Sequence, residues 1–415
     1  MLVELGKKPN GAPVPSVARA AAPSGLAAKQ SATTTGSRKV RYIKSIDELQ
    51  NVPEHVRAEL RRVSEKYVFR ANDYYLGLID WNDPQDPIRQ LIIPRTEELS
   101  DWGKLDASNE KSITVVRGVQ HKYQRTVLLL CNEVCGAYCR YCFRKRLFMD
   151  DNDEVTLDVS KGIEYIREHS EVSNVLLTGG DPLLMSTRKL GDILRRLREI
   201  DHVQIIRIGT KMPAFNPWRM LDDEALLATL REYSTPQKRI YIMAHFDHPR
   251  ELTEPAIRGL DALLRAGAIV VNQCPLVRGV NDHPAVLGEM YQTLERIGVP
   301  PYYLFQGRPT EGNEPYEVPL VETWRIFDRA RRMASGLGRR ARLCMSHETG
   351  KVEVVGVDDK HIYMRYHQAK DPANESRFLV FHRDDNAYWL DQLRPVEGLG
   401  GPAFGVAVYS DGRSP

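Results

Sequence analysis

Positive and negative charge nearly cancel in this sequence: 58 Lys and Arg against 55 Asp and Glu leave +3 over 415 residues. So weak a balance builds no general field for nucleic acid, and no nucleic-acid partner is expected. Long hydrophobic runs are missing too. No uninterrupted apolar stretch approaches the ~18 residues a membrane helix needs, so no membrane span is expected. Cysteine is scarce, with six in the chain, too few for a disulfide scaffold. What remains is a globular composition, 42% hydrophobic and 27% charged, long enough for one large core or for two or three domains. The distribution of the cysteines is more telling than their number: Cys131, Cys135, Cys139 and Cys142 fall close together, while Cys274 and Cys344 stand apart.

The ends of the chain have little to bury. Residues 1–40 are rich in Ala, Ser, Thr, Gly and Pro and are expected to form a disordered tail. Six Lys and Arg against the single acid Glu4 raise a transit peptide as the alternative, but only two of the six are arginine and several prolines interrupt the stretch. The preferred expectation is a tail on a cytoplasmic protein. Residues 396–415 read as a second loose end.

Between the ends, residues 41–120 are expected to be a helical region. In SIDELQNVPEHVRAELRRVSEKYVF, Ile46, Leu49, Val56, Leu60 and Val63 can share a helix face, and DPIRQLIIP closes a second element at Pro94. From Arg125 the pattern alternates. Short apolar runs (TVLLL, NVLLT, VQIIRIG, RIYIMAHF, AIVVNQ, YYLFQ, ARLCM) are separated by amphipathic stretches such as 187–200, 254–266 and 284–297. Continuous apolar strands alternating with helices imply a parallel sheet covered by helices. Composition leaves a full or partial β/α barrel and an open doubly wound sheet both open. Residues 351–395, with KVEVVGV, HIYMRYH and SRFLVFHR, read as a small antiparallel β appendix.

The segment TVLLLCNEVCGAYCRYCFRKRLF places Cys135, Cys139 and Cys142 on one loop after a strand, where β/α barrels build their active sites. Zinc would need four ligands and usually draws them as two pairs, and no second pair at that spacing follows. A ferredoxin-type carrier would use four cysteines, but Cys131 ends an apolar strand and reads as a small core residue. What remains is a cluster with three protein ligands and one open iron. Downstream, LTGGDPLL places Gly179 and Gly180 after the next strand, where a backbone without side chains lets a ligand approach closely.

The C-x3-C-x2-C spacing with Tyr141 before the last cysteine resembles the signature of radical S-adenosylmethionine (SAM) enzymes. The resemblance implies that Cys135, Cys139 and Cys142 hold a [4Fe–4S] cluster whose fourth iron chelates SAM. It also implies that Tyr141 lies near the adenine, and that Gly179, Gly180 and Asp181 form the glycine-rich strand that meets the SAM amino group. DPIRQLIIP, HKYQRTVLLL, YCRYCFRKRLF, LTGGDPLL, IRIGTKMP, HFDHPRELT, VNQCPLVRGVND and PYYLFQ further resemble, in order, the lysine 2,3-aminomutase family. That family implies a partial (β/α)6-type barrel over 121–350 and pyridoxal 5′-phosphate (PLP) beside the cluster and SAM. Its chemistry moves an amino group from C2 to C3 of an amino acid through a radical, so that cofactors carry the hard step. The resemblance puts the PLP lysine at Lys351, the PLP phosphate near Lys122 and Tyr123, the substrate carboxylate on Arg144, and His245 and Gln273 near SAM.

Two departures bear on substrate. The family's lysine-specific members grip the substrate ammonium with two aspartates; the matching positions here are Arg308 and Cys344. An ammonium would lack partners and meet a cation, and an unpaired buried charge is costly. An acidic or neutral side chain is the expectation, unless Glu311, Glu314 or Glu348 takes over. The family's C-terminal zinc cysteines are also absent, since no Cys follows Cys344, and Cys131, Cys274 and Cys344 read as packing residues. His367 and Lys370 in the appendix read as structural. The implied partners are an amino-acid substrate and an electron donor such as flavodoxin, with a homo-oligomer left open. Two other readings stay open: a radical SAM enzyme on the same barrel without PLP, and an iron–sulfur electron-transfer protein.

Overall fold

The computed structural model describes residues 38–149 and 152–398; the expected tail over 1–40 and the end from 396 fall almost wholly outside them. The described chain opens with β1 (Tyr42–Ile43), α1 (Glu54–Lys66), β2 (Ala71–Asn72), α2 (Asp73–Leu76) and α3 (Pro87–Ile92), with β1 paired antiparallel to β2. The expected long first helix is therefore shorter. Ile46 and Leu49 sit in the turns before it, because Pro53 occupies the N-cap and has no amide hydrogen to carry a helix through. Much of 41–120 is turns rather than helix, with β3 (Thr114–Val116) and the start of β4 (Val119–Tyr123) at its end.

The strands that follow, with their covering helices, are β5 (Thr126–Asn132), α4 (Ser160–Glu168), β6 (Asn174–Gly179), α5 (Thr187–Arg198), β7 (Ile205–Thr210), α6 (Met212–Phe215), α7 (Trp218–Leu221), α8 (Glu224–Tyr233), β8 (Ile240–Ala244), α9 (Glu254–Arg265), β9 (Ile269–Pro275), α10 (Pro284–Arg296), β10 (Pro301–Phe305), α11 (Leu320–Met333) and β11 (Arg342–His347). Helix starts are set locally: Ser186, Asp223 and Thr253 accept hydrogen bonds from the first amides of α5, α8 and α9. β5 through β11 pair parallel in chain order. Past them, β12 (Gly350–Val357), β13 (His361–Ala369) and β14 (Phe378–His382) add antiparallel strands to the same sheet. The 351–395 appendix is thus continuous with the main sheet through the β11–β12 pairing.

The sheet has twelve strands, with β3 at one end and β14 at the other, and these ends do not pair among the described residues. It is nonetheless strongly curved. β4 and β11 stand seven places apart, which in a flat sheet would be about 34 Å. Yet Lys122 Nζ of β4 donates to the carbonyl of His347 at the end of β11, and Ser108 Oγ donates to the Ser346 carbonyl at 2.9 Å. Only a curled sheet brings these atoms together.

The two faces of the curled sheet differ. Val175, Leu177, Ile206, Ile208, Ile240 and Ile242 point to the helices and are fully buried. Their neighbours Leu176, Thr178, Arg207, Gly209 and Tyr241 are half-buried, so the concave face is open. No described helix is long and apolar enough to cross a membrane. Replacing Leu177 by Ala leaves a cavity between sheet and helices and should cost about 2–5 kcal/mol; a fall in the urea midpoint with unchanged slope checks this.

Candidate active site

The cysteine loop leaves the end of β5 and is held by its backbone. Arg70 Nε donates to the Cys135 carbonyl at 2.8 Å, and Asn313 Nδ2 to the Tyr141 carbonyl at 2.8 Å. Asn132 Nδ2 reaches the carbonyls of Val134 and Asp181, both at 2.7 Å. The Arg140 amide donates to Leu91 at 2.9 Å, and its guanidinium forms a fully buried pair with Glu98 at 2.7 Å, which also accepts from Tyr316 at 2.9 Å. A paired and hydrogen-bonded buried charge is tolerated where a lone one is not. The segment that begins the fold and the loop after β10 therefore clamp the cysteine loop from two sides.

Cys135, Cys139 and Cys142 are half-buried and close together: Cys139 and Cys142 raise the proton affinity of Cys135, and Cys142 that of Cys139. Burial pushes the Cys139 thiol up to about 12 and those of Cys135 and Cys142 up as well. Iron reverses that preference, because a coordinated thiol loses its proton. Among the described residues no three His, Cys, Asp or Glu side chains converge on the position of a single ion. A cluster places its ligands on three separate irons, farther apart than the ligands of one ion. The three soft thiols on one clamped loop fit that group.

Gly179 and Gly180 make their close approach to the cysteine loop itself. Gly179 has φ +106°, and a Cβ there would lie 2.6 Å from the Asn132 carbonyl oxygen. A Cβ on Gly180 would lie 2.5 Å from that of Val134. On this side the room that the glycines leave is filled by the backbone of the cysteine loop. The Asp181 carboxylate also turns inward to the fold. It accepts from Thr210 Oγ1 at 2.7 Å and the Lys211 amide at 2.8 Å, and burial raises it to about 6.

Tyr141 enters a buried network that sequence reasoning missed. Its hydroxyl donates to Asp247 Oδ2 at 2.6 Å, and His245 Nε2 lies 3.0 Å from both that hydroxyl and Asp247 Oδ1. Lys211 pairs with Asp247 and, at 2.7 Å, with Glu251, which accepts from Tyr75 at 2.6 Å. Burial opposes the Asp247 charge, but His245 and Lys211 outweigh it and hold the carboxyl well below its usual range. Lys211, Asp247 and Glu251 lie in the strand-end stretches IRIGTKMP and HFDHPRELT, but nothing in a linear pattern tells a buried ion from a solvated one. Gln273 lies on the concave face of β9, half-buried, with no side-chain hydrogen bond among the described residues.

Across the concave face, cations outnumber acids. Lys351 is the second residue of β12, opposite Ser346. Its amine makes no hydrogen bond or ion pair among the described residues and rests on the Tyr303 ring, 4.2 Å from the centroid. Burial, helped by Arg207 and Arg308, pushes it down to about 8. Lys122 is pushed down to about 7 by burial and by Arg308, while burial drives the Tyr123 hydroxyl up. Arg207 donates to Asn174 Oδ1 at 2.9 Å, and no acid pairs with it among the described residues.

Arg144 and Arg308 meet one carboxylate. Arg144 gives its Nε and one terminal nitrogen to Glu110 at 3.1 and 3.2 Å and another N–H to Thr178 at 3.0 Å. Its fork is thus largely engaged. Arg308 donates once to Glu110, at 3.1 Å, and stacks on Phe143 at 3.7 Å, which leaves most of its N–H groups uncommitted. Arg146 also reaches Glu110, at 2.9 Å, and the three arginines outweigh burial to hold that carboxyl well below its ordinary range. Cys344 is fully buried, as expected of a packing residue, but on the other side of the sheet from the two other lone cysteines. Cys131 and Cys274 join the core on the helix side, but Cys344 shares the concave parity of Arg342 and Ser346 and lies near Lys351.

The clamped three-thiol loop and the parallel strands around it lie within residues 130–287, which match the Radical SAM superfamily, and this makes the protein a radical SAM enzyme. The chain is 52% identical to a protein of Aquifex aeolicus described as "Putative L-lysine 2,3-aminomutase", over 85% of this chain and 95% of that one. It is 38% identical to the L-lysine 2,3-aminomutase of Clostridium subterminale, over 63% of this chain and 62% of that one. It is 30% identical to the glutamate 2,3-aminomutase of Clostridioides difficile, over 72% and 70% respectively. The chain belongs to the lysine 2,3-aminomutase family, whose members are radical SAM isomerases that use a [4Fe–4S] cluster, SAM and PLP.

Gly180→Ala would drive a methyl group into Val134, which must move with the loop that carries Cys135. Overpacking of this kind costs about 1–3 kcal/mol. The expected outcome is a folded protein that retains less iron and sulfide after reconstitution, measured per chain against the wild type.

Proposed function

We propose that this enzyme is a PLP-dependent 2,3-aminomutase that converts an α-amino acid with an acidic or neutral side chain into its β-isomer. One observation carries the reading: Lys351, Lys122 and Arg207 stand on the concave face without an acidic partner among the described residues. Unpaired cations in a half-buried space favour an anionic ligand, and PLP brings a phosphate and an aldehyde. Lys351, lowered to about 8, keeps a useful fraction of neutral amine near neutral pH, which bonding to an aldehyde requires.

When bound, the cluster and SAM supply one-electron chemistry, and PLP supplies the group that carries the migrating amine. The chain's own residues hold and orient. Cys135, Cys139 and Cys142 would hold the cluster. Tyr141, His245, Gln273 and the Gly179–Asp181 turn would border SAM, and Lys122 and Tyr123 the phosphate. Arg144 would meet the substrate carboxylate with the one N–H that Glu110, Thr178 and Gln120 leave free.

Arg308 sets the side-chain preference. Its remaining donors can meet a carboxylate, and it repels an ammonium at the same place. Cys344, on the neighbouring strand, offers an ammonium no charge. A reducing compartment and a one-electron donor such as flavodoxin complete the requirement.

Anaerobic protein reconstituted with iron, sulfide and PLP should show a broad iron–sulfur absorbance and a separate Schiff-base band that Lys351→Ala abolishes. A cluster without that band would remove PLP from the reading. Offered all twenty amino acids with SAM and reductant, the enzyme should isomerise an acidic or neutral one, and lysine as the fastest substrate would refute the role of Arg308. In Arg308→Lys the fork is lost, and an acidic substrate should lose about tenfold or more in kcat/KM, the cost of a charge-assisted hydrogen bond.

A further inference from the structure

The C-terminal strands reach beneath Lys351. β13 pairs with β12 through a register shift: Lys351 faces Gln368 and Val352 faces Tyr366, so His367 is the extra residue of a bulge. Bulges re-aim side chains. Here the imidazole turns to the concave side, where its Nε2 lies 2.7 Å from the Tyr303 hydroxyl and its Nδ1 3.0 Å from Arg342.

Partner chemistry orders the protons. A guanidinium can only donate, so Arg342 fixes His367 Nδ1 as an acceptor and leaves the proton of the neutral ring on Nε2. That proton goes to the Tyr303 oxygen, and the Tyr303 hydroxyl donates onward to Tyr302 at 3.1 Å. Arg342 is held in turn by Glu353 at 3.2 Å, which also pairs with Arg365 at 2.8 Å. Burial, with Lys351 and Arg342 nearby, pushes the imidazole down to about 4 and keeps it neutral. The Tyr303 ring held by this chain is the one on which the Lys351 amine rests.

The geometry points to His367 as a positioning residue: through its hydrogen bond to Tyr303 it holds the ring that seats the Lys351 amine. Glu353, Arg365 and His367 come from β12 and β13, which gives these strands a part in the active site as well as in the sheet. The inference rests on Lys351 as the PLP lysine for its catalytic meaning, but the seating of the amine stands without PLP. The other charged or titratable groups acting on the amine are Arg207 from β7, Arg308 after β10, Cys344 from β11 and Lys122 from β4.

The test uses the full chain in three variants: His367→Leu, which removes the donor; His367→Gln, which keeps an N–H at that reach; and Tyr303→Phe, which keeps the ring and removes its hydroxyl. The first readout is the acetylation rate of Lys351 by acetic anhydride at pH 8 in cofactor-free protein, normalised to the other lysines by peptide mass spectrometry. An amine freed from its seat meets more water and regains its proton, so His367→Leu and Tyr303→Phe should both slow Lys351 about threefold or more, and His367→Gln should stay near wild type. The second readout is PLP affinity from the Schiff-base band, expected to weaken about tenfold in the first two variants, the scale of one lost buried hydrogen bond.

Wild-type rates and affinities in both His367→Leu and Tyr303→Phe would overturn the inference and leave the PLP reading intact. Slowed acetylation in a protein that forms no Schiff base would uphold the seating and overturn the PLP reading. If His367→Leu does not fold, Tyr303→Phe against His367→Gln decides the question alone.

Discussion

Positive charge without a partner, gathered on the inner face of a curled sheet, is the condition on which the rest of the site depends. Lys122, Arg207 and Lys351 have no acid opposite them among the described residues, and Glu110 is shared among Arg144, Arg146 and Arg308. Like charges in a half-buried space repel and lose hydration, and the protein answers in two ways. Lys122 and Lys351 give up proton affinity, down to about 7 and about 8. The space itself stays open, with half-buried side chains along β6, β7 and β9 where the opposite face is fully buried. Both answers suit a site that takes up an anion.

The acids that could have neutralised this face are used elsewhere. Asp247 and Glu251 hold Lys211 behind Tyr141, Glu98 holds Arg140 under the cysteine loop, and Glu353 holds Arg342 below His367. Each of these pairs fixes a backbone or a ring that borders the open space. Such pairs add little net stability, since desolvation offsets attraction, but they define one arrangement. The cysteine loop shows the effect: its carbonyls are bound by Arg70, Asn132 and Asn313, and Gly179 and Gly180 leave room for it to lie against β6. The thiols are therefore presented by a loop whose backbone is already in place.

Much of the parallel sheet was legible because each strand carries its own signal. The runs from TVLLL to ARLCM are apolar on the helix face, the stretches between them have helical spacing, and β5 to β11 appear in that order. The first helix misled because Pro53 interrupts a spacing that otherwise runs on, and a steric veto by one residue outweighs periodicity. At the glycines the need for close approach was legible, and the structure shows the cysteine loop packed against them. Cys344 was legible as a buried packing residue, and only strand parity shows that it packs on the concave side, near Lys351.

The sequence by itself determined the chemistry on offer: three thiols at a fixed spacing on one loop, and a lysine at the start of β12. Covalent spacing along a few residues survives any fold, so these could be found without coordinates. Only the tertiary structure decided which charges meet. Glu110 lies 198 residues from Arg308 and 34 from Arg144, and His367 reaches Tyr303 across 64. These contacts exist because the sheet curls until β4 touches the end of β11, and because a bulge in β13 turns one side chain inward. Curvature and register belong to the hydrogen-bonded sheet as a whole, and no local pattern of residues encodes them.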